Sequence, residues 1–198
     1  MIDRTHTALL CLALAAGLAA ATPLRAGELL VNGGFDTDLS GWLAPGVTWS
    51  PLDADNDPAS GSARLTDPAT GPGVPPPLLI HQCATLTRPT HVLVFSMRGL
   101  LPGGQPSARI TATLNVHRHS PDCSGGAVAI VPLTTTLSGA WIPLSQTLAF
   151  AGELPAGASV AVTGRAERDG LDGPVFGHLD RVSVAQDGLL LAGFELPP

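Results

Sequence analysis

Between residues 107 and 119, polar side chains alternate with apolar ones in a pattern that could place a row of ligand-recognising groups on one surface. The polar members, called the polar row below, are Arg109, Thr111, Thr113, Asn115, His117 and His119. A period of two residues is typical of a β-strand with one face toward the core. Guanidinium, amide and hydroxyl groups on a rigid sheet can hydrogen-bond the hydroxyl groups of a sugar. The alternative is an ordinary solvent-facing sheet surface.

Aromatic side chains that could complete a sugar site are scarce. The chain has three tryptophans and no tyrosine. Because sugar sites usually offer an apolar ring for stacking, we expect Trp49 to be partly exposed and to serve this purpose. Trp42 and Trp141 are expected to be packed. The shortage of rings is the main argument against a typical sugar-binding site.

Two motifs could hold a metal ion. His117 and His119 would share one face of a strand, but two ligands do not make a zinc site, and a third would have to come from elsewhere in the fold. Residues 53–57, Asp-Ala-Asp-Asn-Asp, resemble the start of a calcium loop. Arg64, however, stands where such a loop needs its bidentate glutamate. The alternative for the histidines is a pair of surface or groove side chains, and the alternative for residues 53–57 is a solvated turn.

Catalytic motifs are missing from the sequence. It has no Gly-x-Ser-x-Gly, no His-Glu-x-x-His and no phosphate-binding loop. We therefore expect no enzyme. The paired carboxylates of a glycoside hydrolase meet only in the fold, so a small hydrolase stays the third alternative.

The N-terminal segment indicates an exported protein. Residues 1–26 combine a charged start, a short apolar core and a small residue at position 26, which predicts a cleaved signal helix. No other stretch is apolar and long enough to span a membrane. The formal net charge is −6 and every basic residue is arginine, which argues against nucleic-acid partners. We expect a secreted or periplasmic product.

Cys83 and Cys123 remain after removal of the signal peptide. An even number of cysteines in an oxidising compartment predicts a disulfide between them. The alternative is a pair of buried free thiols.

Turn-forming residues divide the remaining chain into short runs rich in Val, Ile, Leu and Thr, with no amphipathic helix. This pattern predicts an all-β fold, a sandwich or barrel. We expect one domain over residues 27–186 and a short strand or tail over residues 187–198. The predicted strands cover residues 28–32, 46–50, 62–66, 78–86, 91–98, 107–119, 127–131, 141–150, 158–166, 175–185 and 189–192.

Several segments resemble bacterial carbohydrate-binding modules of the CenC type, which have a galactose-binding-like jelly roll. Residues 28–36 read Glu-Leu-Leu-Val-Asn-Gly-Gly-Phe-Asp, and residues 39–42 read Leu-Ser-Gly-Trp, as at the start of these modules. The further matching segments are 49–50, 58–63, 139–141 and 179–184. In order and spacing they cover most of residues 28–185.

This resemblance implies an antiparallel β-sandwich jelly roll without catalysis, often with a structural calcium ion. Carried over by position, the calcium ligands would be Asp36, the backbone near Asn32, and Asp180. Carboxylate and carbonyl oxygens are the ligands that calcium prefers. The alternative is that Asp36 caps a turn and Asp180 makes a local hydrogen bond.

Two functions remain open at this point. The first is a non-catalytic binding module that holds carbohydrate in a shallow groove, with stacking on Trp49 and hydrogen bonds from the polar row. The second is a structural or adhesive surface protein that uses the same sandwich for protein contacts, since a fold does not determine a function. The sequence leaves the oligomeric state open.

Overall fold

Short segments of alternating polar and apolar residues form an all-β structure. The computed structural model describes residues 27–68, 79–105, 108–168 and 174–186. The predicted signal peptide, residues 1–26, and the tail, residues 187–198, lie outside the described residues. The strands are β1 (Gly27–Glu28), β2 (Thr48–Ser50), β3 (Ser62–Asp67), β4 (Leu79–Thr85), β5 (Thr90–Leu100), β6 (Ala108–His117), β7 (Ala129–Thr135), β8 (Trp141–Leu154), β9 (Ser159–Arg168) and β10 (Val175–Gln186).

The strands make two antiparallel sheets. Sheet A has the order β2-β3-β10-β5-β8, with β1 also paired to β10, and sheet B has the order β4-β9-β6-β7. The two sheets pack face to face around one hydrophobic core, so the predicted antiparallel β-sandwich is confirmed. Each sheet therefore has an inner face on the core and an outer face. The described part contains no helix long and apolar enough to cross a membrane.

Strand β6 shows how the sequence builds the core. The apolar members of its alternating pattern, Ala108, Ile110, Ala112, Leu114 and Val116, are all buried. Each fully buried Ile, Leu or Val side chain stabilises the fold by about 1.5–3 kcal/mol. A Cβ atom at Gly177 would lie 2.3 Å from Cδ1 of Ile110, so a glycine at this position lets the two sheets approach closely. The predicted inward face of β6 is confirmed.

A disulfide fastens a loop onto sheet B. Cys83 in β4 is bonded to Cys123, with Cα atoms 6.0 Å apart, which confirms the predicted pair. Cys123 belongs to residues 118–128, called the tethered loop below. Its backbone is also held by side chains of sheet B: Cys123 N–H donates to Ser159 Oγ at 3.1 Å, and Thr85 Oγ1 donates to the Pro121 carbonyl at 2.8 Å. The loop therefore covers one end of the outer face of this sheet.

Among the described residues, the outermost strands are β2 and β8 in sheet A, and β4 and β7 in sheet B. Strand β7 carries Pro132 opposite Thr113, and strand β8 carries Pro143 opposite Arg98. Proline has no N–H group and is tolerated at such edges. The free edge of β4 is partly occupied by Leu43, which exchanges two backbone hydrogen bonds of 2.8 Å with His81.

Candidate ligand-binding faces

The polar row lies on the outer face of sheet B, with one exception. Strand β6 ends at His117, so His119 falls in the following turn and is exposed. The predicted strand over residues 107–119 is therefore too long at this end, and the two histidines do not share a strand face. Among the described residues, no three His, Cys, Asp or Glu side chains are grouped to hold a metal ion.

One end of the polar row is an ion-pair cluster. Arg109 Nε lies 2.7 Å from Glu167 Oε2, and Thr111 donates to the same oxygen at 3.0 Å. Arg165 reaches the other carboxylate oxygen at 2.7 Å. Burial acts to raise the pKa of Glu167, but these hydrogen bonds and positive charges lower it below its usual value. Arg109 and Thr111 are consequently engaged by the protein itself.

The centre of the row offers free polar groups. Thr113 lies between Thr163 and Pro132, and Asn115 lies between Ala161 and Ile130. Both side chains are half-buried and form no hydrogen bond within the described structure. An amide and a hydroxyl group side by side can both donate and accept, which suits a polyhydroxylated ligand.

The other end of the row is closed by the tethered loop. His117 is only 7% exposed, and its Nδ1 atom is buried without a hydrogen-bond partner among the described residues. Ser159, which is paired with His117 in the sheet, is fully buried. His117 is therefore not the surface histidine that the sequence suggested, and the accessible part of the row is its centre.

Trp49 is not on the same surface as the polar row. It lies in β2 at the edge of sheet A and is 38% exposed, so its predicted exposure is confirmed. Its indole N–H donates to the Phe35 carbonyl at 2.8 Å, and a Cβ atom at Gly61 would lie 2.6 Å from the ring. The register pairs Trp49 with Ala63, whose side chain faces the core. The predicted groove that combines Trp49 with the polar row does not form.

Two of the predicted calcium ligands, Asn32 and Asp180, are committed to other partners. The Asn32 carbonyl accepts a hydrogen bond from the Trp42 indole at 3.1 Å, and the Asn32 amide donates to the backbone of residues 38 and 40. Asp36 is exposed, whereas Asp180 is fully buried. The Asp180 carboxylate accepts backbone N–H groups from Ala54 at 2.9 Å and from Arg181 at 2.6 Å.

Arg181 supplies a positive charge beside the carboxylates of Asp53 and Asp55. Arg181 Nη2 lies 3.1 Å from Asp55 and 3.8 Å from Asp53, and Arg98 also pairs with Asp55. With Arg181 already among these carboxylates, the residues present do not fit a calcium ion. Burial raises the pKa of Asp180 to about 6, although its two N–H partners oppose the shift.

The acidic segment 53–57 is a turn closed on itself. Asp53 Oδ1 accepts the backbone N–H groups of Asp55 at 2.7 Å and of Asp57 at 2.8 Å. Burial acts to raise the pKa of Asp53, but these backbone bonds lower it. The structure therefore supports the turn and not the calcium loop.

The sequence did not reveal a cavity of about 750 Å³ on the outer side of sheet A. Strands β5, β8 and β10 line it with Ser96, Arg98, Ser145, Arg181 and Ser183, and residues 28–36 and Asp55 line its other side. Trp141 lies on the same outer face and is half-buried, although it was expected to be packed. Trp42, 8% exposed, is packed as expected. Since these strands are far apart in the chain, no local pattern indicated this face.

Comparison with known proteins identifies the fold but no family. No protein-family model matches the sequence, and no curated protein matches it. Among solved structures, the chain is similar to TmCBM61 in complex with β-1,4-galactotriose, with a TM-score of 0.51, 14% identity and coverage of 81% of this chain and 99% of that one. It is also similar to the CBM22-1–CBM22-2 tandem domain of Xyn10C from Paenibacillus barcinonensis, with a TM-score of 0.51, 14% identity and coverage of 84% and 51%.

A third similarity is to the enzymatically active domain of tailspike protein 4 from bacteriophage CBA120, with a TM-score of 0.53 and 14% identity. The match covers 80% of this chain but only 21% of the tailspike. The chain thus spans about half of the tandem domain and a fifth of the tailspike. At this level of identity the likeness concerns architecture alone: the chain has the β-sandwich fold found in carbohydrate-binding modules.

Proposed function

We propose that this protein is an exported, non-catalytic carbohydrate-binding domain that holds its ligand on the outer face of sheet B, with Thr113 and Asn115 as the central contacts. The observation that carries the proposal is the open centre of the polar row. There, a hydroxyl and an amide group lie on a rigid sheet without hydrogen-bond partners among the described residues. The fold shared with TmCBM61 supports a binding role.

The surroundings of these two residues favour a shallow, oriented site. The tethered loop forms a wall at one end, and the Arg109–Glu167 cluster bounds the other. Because both boundaries are fixed by covalent or charged contacts, little ordering is needed when a ligand binds, which favours affinity. The described residues of this face include no phenylalanine or tryptophan ring, so we expect weak binding at this site.

The chemistry of the face supports binding and not hydrolysis. Among the described strand residues of this face, Glu167 is the acidic side chain, and two arginines keep it ionised. A glycoside hydrolase needs one carboxyl group with a raised pKa to protonate the leaving group. Glu167 has the opposite environment.

Export is supported by the disulfide as well as by the predicted signal peptide. The Cys83–Cys123 bond is of the kind that persists in oxidising compartments. We therefore place the protein in the periplasm or outside the cell.

The second candidate function, a structural or adhesive role, is favoured by apolar side chains near the β7 edge. Val128, Ile130 and Leu137 are 52%, 65% and 63% exposed. Exposed apolar side chains grouped at one edge are typical of protein contact sites. This alternative predicts self-association or partner binding that Ile130→Asp weakens, as measured by analytical ultracentrifugation.

A glycan array probed with the purified, oxidised protein tests the proposed function. We expect reproducible binding that is weakened about tenfold by Asn115→Ala, because the loss of a ligand hydrogen bond costs about 1 kcal/mol or more. Thr147→Ala, an exposed position on sheet A, is the matched control and should bind like the wild type. An absence of binding across plant, microbial and host glycans would overturn the proposed carbohydrate-binding function.

A further inference from the structure

One register row on the outer face of sheet A brings together side chains from four strands. The pairings align Arg64 of β3, His178 of β10, Leu100 of β5 and Trp141 of β8 across the sheet. Phe176 lies two residues before His178 in β10, on the same face. We call Arg64, Phe176, His178 and Trp141 the aromatic strip.

The rings of the strip hold one another in place. The ring centroids of Trp141 and His178 are 6.4 Å apart at 66°, and those of Phe176 and His178 are 6.4 Å apart at 79°. Both are edge contacts, which aromatic rings prefer over face-to-face stacking. Arg64 Cζ lies 4.6 Å from the Phe176 ring centroid, a cation–π contact. The strip is therefore organised before any ligand arrives.

His178 forms the floor of the strip. It is 3% exposed, and its Nδ1 atom lies 3.1 Å from Ser62 Oγ. Burial, and then the charge of Arg64, lower the pKa of His178 to about 4. At neutral pH this ring is thus an uncharged, fixed support between two half-buried rings, Trp141 and Phe176.

A cavity of about 350 Å³ opens beside the strip. Its lining includes Thr48, Trp49, Leu52, Arg64, Phe176 and His178, while Trp141 lies farther along the strip, beyond His178. This volume is at the lower end of the range of about 300–1,000 Å³ for small-ligand pockets. The lining combines ring surface with hydroxyl and guanidinium groups, which matches a sugar ring that has apolar C–H faces and hydroxyl edges.

Other ligand classes fit the strip less well. Nucleic acid would need clustered positive charge, whereas the chain carries a formal net charge of −6. A protein partner would favour a broad apolar patch, whereas the strip borders a small concave cavity. A saccharide agrees with the size and with both kinds of surface.

We propose that the aromatic strip and its cavity form a second saccharide-binding site, on the side of the sandwich opposite the polar row. This inference rests on the proposed carbohydrate-binding function, because it assigns the same ligand class to a new place. A domain with sites on both outer faces can hold two glycan chains at once. Such a domain links polysaccharides as well as attaching to them.

The test uses the same glycan array with four proteins: wild type, Asn115→Ala, Trp141→Ala and the double variant. If both sites bind, each single variant loses part of the signal and the double variant loses all of it. We expect Trp141→Ala to weaken the binding of its glycans about tenfold, since a stacking ring is worth about 1 kcal/mol beyond its buried area. Isothermal titration with a soluble form of the best array glycan should give two sites per wild-type chain and one per single variant.

Other outcomes separate the two proposals. If Asn115→Ala abolishes all binding and Trp141→Ala changes nothing, the second site is overturned and the proposed function stands. If Trp141→Ala alone abolishes binding, the strip is the sole site and the proposed role of the polar row is wrong. If no glycan binds, both fail. Trp141→Phe, which keeps a ring, and the unfolding midpoint of each variant control for loss of structure.

Discussion

On both outer faces of the sandwich, the strands alternate inward and outward side chains with a period of two residues. The two faces differ in how they treat their ionisable side chains. On sheet B, charged and hydroxyl side chains pair with one another, and Glu167 is kept ionised by Arg109 and Arg165. On sheet A, buried titratable groups resist ionisation: the pKa of His178 falls to about 4 and that of Asp180 rises to about 6. Alternation determines which side chains face outward, but the neighbouring strands determine whether water reaches them.

The largest expected effect concerns the disulfide of sheet B. Replacing both Cys83 and Cys123 with serine removes a cross-link between residues 40 apart. In the chain-entropy model this costs about 4 kcal/mol, or about 10 °C in the unfolding midpoint of a domain of this size. We also expect weaker glycan binding on sheet B, since the wall of that site is released, while binding at the aromatic strip persists. Urea unfolding combined with the glycan array measures both, and equal losses on the two faces would contradict the separation of the sites.

The second effect concerns pH and the two buried groups of sheet A. The lowered pKa of His178 means that stability is lost as pH falls from about 6.5 toward 4, because the unfolded chain then binds the proton more readily. The raised pKa of Asp180 means that stability is lost as pH rises from about 4 toward 6. Each shift corresponds to on the order of 3 kcal/mol. Because the two pH dependences have opposite signs, they largely cancel in the wild type.

Single variants should expose each slope. We expect Asp180→Asn to lose stability as pH is lowered from 6.5 to 4, and His178→Gln to lose stability as pH is raised from 4 to 6. Thermal unfolding at half-unit pH steps measures both. If the two variants show slopes of the same sign, the groups are not in the environments described.

The third effect concerns Arg181 and the acidic turn of residues 53–57 that lies beside sheet A. Because Arg181 already pairs with Asp53 and Asp55, we expect the unfolding midpoint of the wild type to be unchanged by calcium or EDTA. Arg181→Gln leaves the buried Asp53 oxygen without its counter-charge and should cost about 1–3 kcal/mol. A clear stabilisation of the wild type by calcium would show that the ion binds in spite of Arg181.

The smallest expected effect concerns the Glu167 ion pairs on sheet B. Glu167→Gln removes the charge between Arg109 and Arg165 but leaves an amide that can still bond them. Partly exposed ion pairs of this kind contribute up to about 1 kcal/mol, so we expect a loss within that range in urea unfolding. A loss several times larger would show that the charged end of the polar row is as tightly packed as the strip on sheet A.

Local patterns predicted the strands well, because alternation and turn residues act over a few positions. Ten of the predicted strands correspond to β1–β10, and the eleventh, over residues 189–192, lies outside the described residues. The inward face of β6 and the disulfide were predicted for the same reason: each rests on residue type and short spacing, or on the count of cysteines.

The features that sequence reasoning missed depend on contacts between distant segments. Trp141 meets His178 only because β5 lies between β8 and β10 in sheet A. Arg181 turns its guanidinium toward Asp53 and Asp55, and the sequence around Asp180 gives no sign of these contacts. His119 was placed on the strand because alternation continues by one step beyond the point where the turn begins.

The two edge prolines bear on how this protein behaves when crowded. An unpaired strand edge can recruit the same edge of another molecule, which is the first step of fibril growth. Pro132 and Pro143 interrupt the outermost strands β7 and β8, Leu43 occupies part of the β4 edge, and β2 is only three residues long. A domain protected in this way can reach a high local concentration without joining edge to edge with its copies.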